Sequence, residues 1–97
     1  IDDFWQKVKN TPRHETHPDA ESASADAVLS GTDLECGGSY HALLKAIQDG
    51  KIKESDLDVS LRRLFRARME LGMFDPDDRV PFSNIPYSVV ESPEHIT

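Results

Sequence analysis

The chain has little cysteine and no long apolar run. Its one cysteine, Cys36, has no partner for an internal disulfide, and the count excludes a zinc module built from several cysteines. The longest apolar stretches are only a few residues, so the sequence contains neither a membrane span nor the apolar region of a signal peptide. Because the chain opens at Ile1 without a start methionine, we expect its true N-terminus, with any targeting signal, to lie further upstream.

Basic residues are scarce relative to acidic ones. Eleven Lys and Arg against eighteen Asp and Glu give a net charge of −7, which repels phosphate backbones and anionic lipid surfaces. We therefore expect no nucleic-acid partner and no membrane partner. With 97 residues, of which 37% are hydrophobic and 30% charged, the composition is typical of one small globular domain.

Three segments have the pattern of amphipathic helices, with apolar residues at three- and four-residue spacing and a glycine after the last of them. The predicted helices lie near residues 17–30, 39–49 and 55–72. Capping boxes are predicted at the starts of the first and third helices, where Thr16 precedes Asp19 and Ser55 precedes Asp58 by three residues.

The segment from Thr32 to Cys36 is too short for a helix and is bounded by glycines, so we predict a short strand there. A helix, strand and helix in succession are half of a βαβα unit, which belongs in a mainly parallel sheet. One strand cannot form that sheet. We therefore expect a mainly α structure for the isolated chain, with the strand poorly paired or recruited by a second copy.

The residue pattern changes after Asp75, where four prolines interrupt regular secondary structure between apolar residues. We interpret residues 75–97 as an ordered, proline-rich linker. At its end, Ser92-Pro93-Glu94 has the pattern of a helix N-terminus, so a further helix is predicted to begin there. A helix that begins where the sequence stops leads us to expect a segment of a longer protein.

Two carboxylates, Asp33 and Glu35, share one face of the predicted strand, because side chains two residues apart point the same way. They could provide the carboxylate pair of a glycosidase. The alternative is structural: one of them caps a helix or pairs with an arginine. His14 and His17 are weak metal-ligand candidates without a third ligand at suitable spacing, and we predict no metal site and no cofactor.

Several motifs along the chain occur together in one known enzyme family. The run AVLSGTDLECG, from Ala27 to Gly37, is similar to the signature at the last barrel strand of β-xylosidases of glycoside hydrolase family 3. The stretches from Leu57 to Leu64 and from Leu71 to Asp75 resemble the helix and turn that close the barrel. Pro86 to Ser88, followed by Ser92 to His95, resembles the passage into the second, α/β sandwich domain.

The resemblance implies that residues 1–74 are the last βα elements of a (β/α)8 TIM-type barrel and that residues 75–97 lead to a missing sandwich domain. It places the nucleophile just upstream of Ile1 and the general acid/base in the second domain, so this segment contains no catalytic residue. Glu35 and Cys36 would line the substrate pocket, since barrel active sites lie at the C-terminal ends of the strands.

The function implied is retaining hydrolysis of β-linked sugars at the non-reducing end, of the β-xylosidase or β-glucosidase type. Its partner is a carbohydrate substrate, and the segment alone is expected to be inactive and to self-associate. The resemblance also points to a periplasmic or secreted location. The alternative from another class is a small, acidic, helical module that binds a protein partner through its surface and proline-rich tail.

Overall fold

The computed structural model describes residues 1–7 and 13–96, and these residues form helices and turns without a strand. The α-helices, in chain order, are α1 Ala20–Leu29, α2 Leu43–Gln48 and α3 Glu54–Glu70. The short 3-10 helices are Asp2–Phe4, Ser39–Ala42, Asp77–Arg79, Pro81–Asn84 and Tyr87–Val89. The prediction of a mainly α structure for the isolated chain is confirmed.

The predicted strand from Thr32 to Cys36 is wrong for this chain. Residues 32–35 have no regular secondary structure, and residues 36–38 form a bend. A strand needs a neighbour to satisfy its backbone hydrogen bonds, and the described residues provide no other strand. Local sequence pattern alone therefore does not produce a strand here.

The first helix begins later than its predicted capping box. Asp19, not Thr16, is the N-cap of α1, and its carboxylate accepts the backbone N–H of Ser22 at 2.7 Å. Thr16 instead contacts the His17 Nδ1 atom at 2.9 Å. Aspartate is among the strongest N-cap residues, and it lies directly before the first helical residue. The hydrogen bonds from Ser22 lower the pKa of Asp19 below its ordinary value of 3.8.

The third helix begins one residue before its predicted start. The backbone N–H of Lys53 donates to the Asp56 carboxylate at 3.0 Å, so an acidic side chain in the first turn satisfies the backbone just before α3. The predicted box of Ser55 with Asp58 is therefore shifted toward the N-terminus. Asp56, three residues after Lys53, accepts the hydrogen bond in place of Asp58.

The predicted glycine stops are confirmed. Gly31, Gly50 and Gly72 all have positive φ, at +99°, +72° and +71°. After α1, the N–H of Thr32 bonds the carbonyl of Ala27 at 2.9 Å and that of Gly31 bonds Val28 at 3.0 Å. These two bonds satisfy carbonyls at the end of the helix and turn the chain toward residues 32–38.

The chain divides into two compact units, Ile1–Phe65 and Arg66–Thr97, and the division falls within α3. In the first unit, α1 packs against α2 and the preceding 3-10 helix. Small side chains permit this close approach, since Ala25 and Ala46 lie in the core beside Val28 and Ile52. Partly buried hydrophobic residues surround that core: Tyr40, Leu43, Ile47 and Leu57.

In the second unit, Val80 is buried and packs over Gly72. A Cβ atom on Gly72 would lie 2.8 Å from a Val80 methyl group, so glycine is required there for space as well as for its positive φ. Phe82 and Tyr87 are 75% and 89% exposed. The predicted helix at the end of the chain is a turn over residues 93–95 in the structure.

Candidate functional site

The two predicted pocket residues lie in the loop of residues 32–38, between the end of α1 and the 3-10 helix Ser39–Ala42. Glu35 uses both carboxylate oxygens within the protein: Oε1 accepts the backbone N–H of Ser39 at 3.1 Å, and Oε2 accepts that of Tyr40 at 2.7 Å. Glu35 therefore caps the 3-10 helix. Its side chain satisfies backbone donors that the helix itself leaves unpaired.

A second carboxylate lies beside Glu35. A Cβ atom built on Gly37 would be 3.0 Å from Glu35 Oε1 and 3.3 Å from Asp2 Oδ2, so both acidic side chains approach the same backbone position. The absence of a side chain at Gly37 makes room for them. The structure thus brings together two carboxylates, Asp2 and Glu35, that are far apart in the sequence and that the sequence analysis did not connect.

Ser39 links these groups. Its hydroxyl donates to Asp2 Oδ1 and accepts the indole N–H of Trp5 at 2.8 Å. Its carbonyl accepts the hydroxyl of Ser24 at 2.8 Å, and Ser39 itself is only 1% exposed. No motif identifies this network, because its partners come from the N-terminal turn and α1 as well as from the loop.

Asp33 pairs with an arginine of α3. The Arg63 guanidinium donates to both carboxylate oxygens of Asp33, with distances between 2.6 and 3.0 Å. The guanidinium holds the pKa of Asp33 below its ordinary value of 3.8, and the same pairing raises the pKa of Arg63. The structural alternative for the Asp33 and Glu35 pair is therefore confirmed: one pairs with an arginine and the other caps a helix.

The Asp33–Arg63 pair should make the stability of the chain dependent on acid pH. Because the folded-state pKa of Asp33 is lowered, its stabilisation is present above the ordinary pKa and is lost as pH falls through the folded-state value. Asp33→Asn should therefore lower Tm at neutral pH, and the difference from wild type should shrink below about pH 4. Thermal melts followed by circular dichroism measure both effects.

Asp58→Asn, at an exposed position of α3, is the matched control and should change Tm little at any pH. A Tm difference for Asp33→Asn that stays the same from neutral to acid pH would contradict this role of the ion pair.

Tyr40 connects the start of the loop with its end. Its hydroxyl donates to the carbonyl of Thr32 at 2.5 Å, and its backbone N–H donates to Glu35. Burial raises the pKa of Tyr40 above 10.0, and the negative charges of Glu35 and Asp33 raise it further. The hydroxyl therefore stays protonated at neutral pH and acts as a hydrogen-bond donor that closes the loop.

Cys36, the second predicted pocket residue, is a free and exposed thiol. The two histidines considered as metal ligands have separate partners: His17 Nε2 lies 3.2 Å from Asp26, and His14 Nε2 lies 3.7 Å from Asp3. Across residues 1–7 and 13–96, no three His, Cys, Asp or Glu side chains cluster closely enough to hold a metal ion. No helix in the same part of the chain is long and apolar enough to cross a membrane.

The chain is similar to xylosidases from a bacterium, a fungus and a plant. It is 34% identical over 94 residues, 95% of its length, to a xylan 1,4-beta-xylosidase of Xylanibacter ruminicola. It is 39% identical over 82 residues, 84% of its length, to a probable exo-1,4-beta-xylosidase of Aspergillus terreus. It is 39% identical over 77 residues, 77% of its length, to probable beta-D-xylosidase 7 of Arabidopsis thaliana. The chain is a β-xylosidase-like sequence.

The similarity covers only a small part of each relative. This β-xylosidase-like chain spans only about a tenth of each of these relatives: 10%, 11% and 10% of their lengths. No protein-family model and no solved structure matches it. The similarity supports the resemblance found in the motifs of the sequence.

Proposed function

We propose that this chain is part of a retaining glycoside hydrolase of family 3 that releases β-linked sugars from the non-reducing end of its substrates. The observation that carries this proposal is the similarity to a named xylosidase over 95% of the chain. Relatives from a fungus and a plant have the same type of name. The proposed activity is of the β-xylosidase or β-glucosidase type, and it requires no cofactor.

In the proposed parent enzyme, residues 1–74 are the last βα elements of a (β/α)8 barrel and residues 75–97 lead to an α/β sandwich domain. The irregular loop at residues 32–35 fits this arrangement, because a strand there would need neighbours from the rest of a barrel. Exposed apolar side chains in the first unit also support it: Leu29, Leu34, Val59 and Leu61.

The catalytic carboxylates of this enzyme are proposed to lie outside the segment, with the nucleophile just upstream of Ile1 and the general acid/base in the sandwich domain. The contacts of Asp33 with Arg63 and of Glu35 with two backbone N–H groups support this proposal, since both carboxylates have structural roles within the segment. The nucleophile would attack the anomeric carbon while the acid protonates the leaving oxygen, and water would then release the sugar.

Glu35 and Cys36 are proposed to line the substrate pocket. They end the segment that would be the eighth barrel strand, and active sites of such barrels lie at the C-terminal ends of the strands. Cys36 is exposed, and Glu35 is partly exposed beside it. A carboxylate in that position would accept hydrogen bonds from sugar hydroxyls while it caps the 3-10 helix.

The proposal is tested with the full-length protein that contains this segment, assayed on aryl β-xylosides and aryl β-glucosides. We expect hydrolysis of at least one of these substrates with release of a sugar of unchanged anomeric configuration, which nuclear magnetic resonance detects directly. A full-length protein that hydrolyses neither substrate would refute the proposed function and would favour the alternative of a protein-interaction module.

A further inference from the structure

Ser39 makes four hydrogen bonds that join separate parts of the first unit. Its N–H donates to Glu35 Oε1, and its carbonyl accepts from the Ser24 hydroxyl on α1. Its hydroxyl donates to Asp2 and accepts from the Trp5 indole, although these residues lie 37 and 34 positions away in the sequence. The proposed pocket loop and the N-terminal turn thus meet at one side chain.

The chemistry of the two N-terminal partners requires a hydroxyl at this point. The indole N–H of Trp5 only donates a hydrogen bond, and the carboxylate of Asp2 only accepts. A serine hydroxyl accepts from one and donates to the other at the same time. Because Ser39 is 1% exposed, water has little access to replace it, and loss of the hydroxyl would leave both partners without that contact.

These two contacts hold both ends of the N-terminal turn. Asp2 begins the 3-10 helix Asp2–Phe4, and Trp5 follows it. The turn is closed by Phe4 N–H, which bonds the carbonyl of Ile1 at 2.9 Å. Other contacts reach its outer side, where Asp3 pairs with Arg13 at 2.9 Å. Ser39 supplies the side-chain contacts that tie the turn to the loop of Glu35.

We propose that Ser39 is a positioning residue for the nucleophile. Its hydroxyl holds Asp2 and Trp5, and through them it fixes the backbone that leads into Ile1, next to the pocket residue Glu35. The proposal rests on the proposed function, which places the nucleophile just before Ile1. A small displacement of a nucleophile costs rate more than it costs substrate binding, because attack requires the carboxylate to be close to the anomeric carbon and in line with it.

The test uses the full-length protein with Ser39→Ala, and with Trp5→Phe as a second variant that removes the indole N–H donor and keeps an aromatic ring. With an aryl β-xyloside, we expect kcat of Ser39→Ala to fall about tenfold or more, while KM stays within about threefold of wild type. The rate of covalent inactivation by an activated 2-fluoro β-xyloside should fall by a similar factor, because that reagent reports attack by the nucleophile alone. Trp5→Phe should show a smaller change of the same kind.

Ser60→Ala is the matched control, because Ser60 is also buried, at 6% exposed, but lies on α3 and has no part in the network. It should leave kcat, KM and the inactivation rate within about threefold of wild type. An active full-length enzyme in which Ser39→Ala keeps the wild-type kcat and inactivation rate would overturn the role of Ser39. Equal losses in Ser39→Ala and Ser60→Ala would overturn it too, since they would reflect a general cost of core substitution. An inactive wild type would instead refute the proposed function.

Discussion

The 97-residue chain on its own is expected to hydrolyse aryl β-xylosides and β-glucosides no faster than a buffer blank, whereas the full-length protein is expected to hydrolyse at least one of them. Enzymes accelerate hydrolysis by many orders of magnitude, roughly 10⁶-fold or more, and retaining catalysis needs two carboxyl groups at the glycosidic bond, one as nucleophile and one as general acid/base. Asp33 is held by Arg63, and Glu35 is held by the N–H groups of Ser39 and Tyr40. Steady-state assays of both preparations measure the difference.

Purity decides the value of that comparison, because trace amounts of a host glycosidase would imitate activity. The Asp33→Ala and Glu35→Ala variants of the isolated chain are therefore the controls. Turnover that survives repurification and disappears in either variant would contradict the assignment of catalysis to residues outside this segment.

Glu35→Ala in the full-length enzyme is expected to lower kcat/KM for a short xyloside by roughly ten- to a hundredfold, the effect of losing about 1.5–3 kcal/mol of hydrogen bonding to a charged group. The side chain caps the 3-10 helix Ser39–Ala42 and is proposed to contact the sugar. Glu35→Gln should lie between wild type and Glu35→Ala, because its amide oxygen still accepts from the backbone but its NH₂ group opposes the second N–H donor.

Glu54→Ala is the control, since Glu54 is exposed in the first turn of α3 and should leave kcat/KM unchanged. Thermal melts of each variant separate a lost contact from lost folding. Wild-type kinetics for Glu35→Ala would remove Glu35 from the pocket. A loss of several orders of magnitude, as expected for removal of the nucleophile, would make Glu35 a catalytic residue and would contradict the proposal.

The sequence predicted the features that depend on local chemistry. Each of the three helix ends is followed by a residue with positive φ, a conformation that strongly favours glycine. These residues are Gly31, Gly50 and Gly72. The helix starts were less accurate, since several polar residues compete to cap each helix. Asp19, instead of Thr16, is the N-cap of α1. At the start of α3, Asp56 accepts the backbone hydrogen bond in place of Asp58.

For contacts between residues that are far apart in the sequence, only the type of partner could be predicted, not the residue that provides it. The sequence favours an arginine partner or a capping role for one of the two carboxylates Asp33 and Glu35, but nothing local identifies Arg63, which lies 30 positions from Asp33. The strand at residues 32–36 failed for the same reason, because strand formation depends on hydrogen bonds from another part of a sheet. The Ser39 network escaped prediction entirely, since a serine, an aspartate and a tryptophan at these distances form no motif.

The most direct test of the central claim is to identify the residue that becomes covalently bound to the sugar. The full-length protein would be inactivated with an activated 2-fluoro β-xyloside, digested and mapped by mass spectrometry, since this reagent traps the glycosyl-enzyme intermediate. We predict one labelled aspartate a few residues upstream of Ile1 and no label within residues 1–97. A label on Asp33, on Glu35 or on any other carboxylate of this segment would contradict the account.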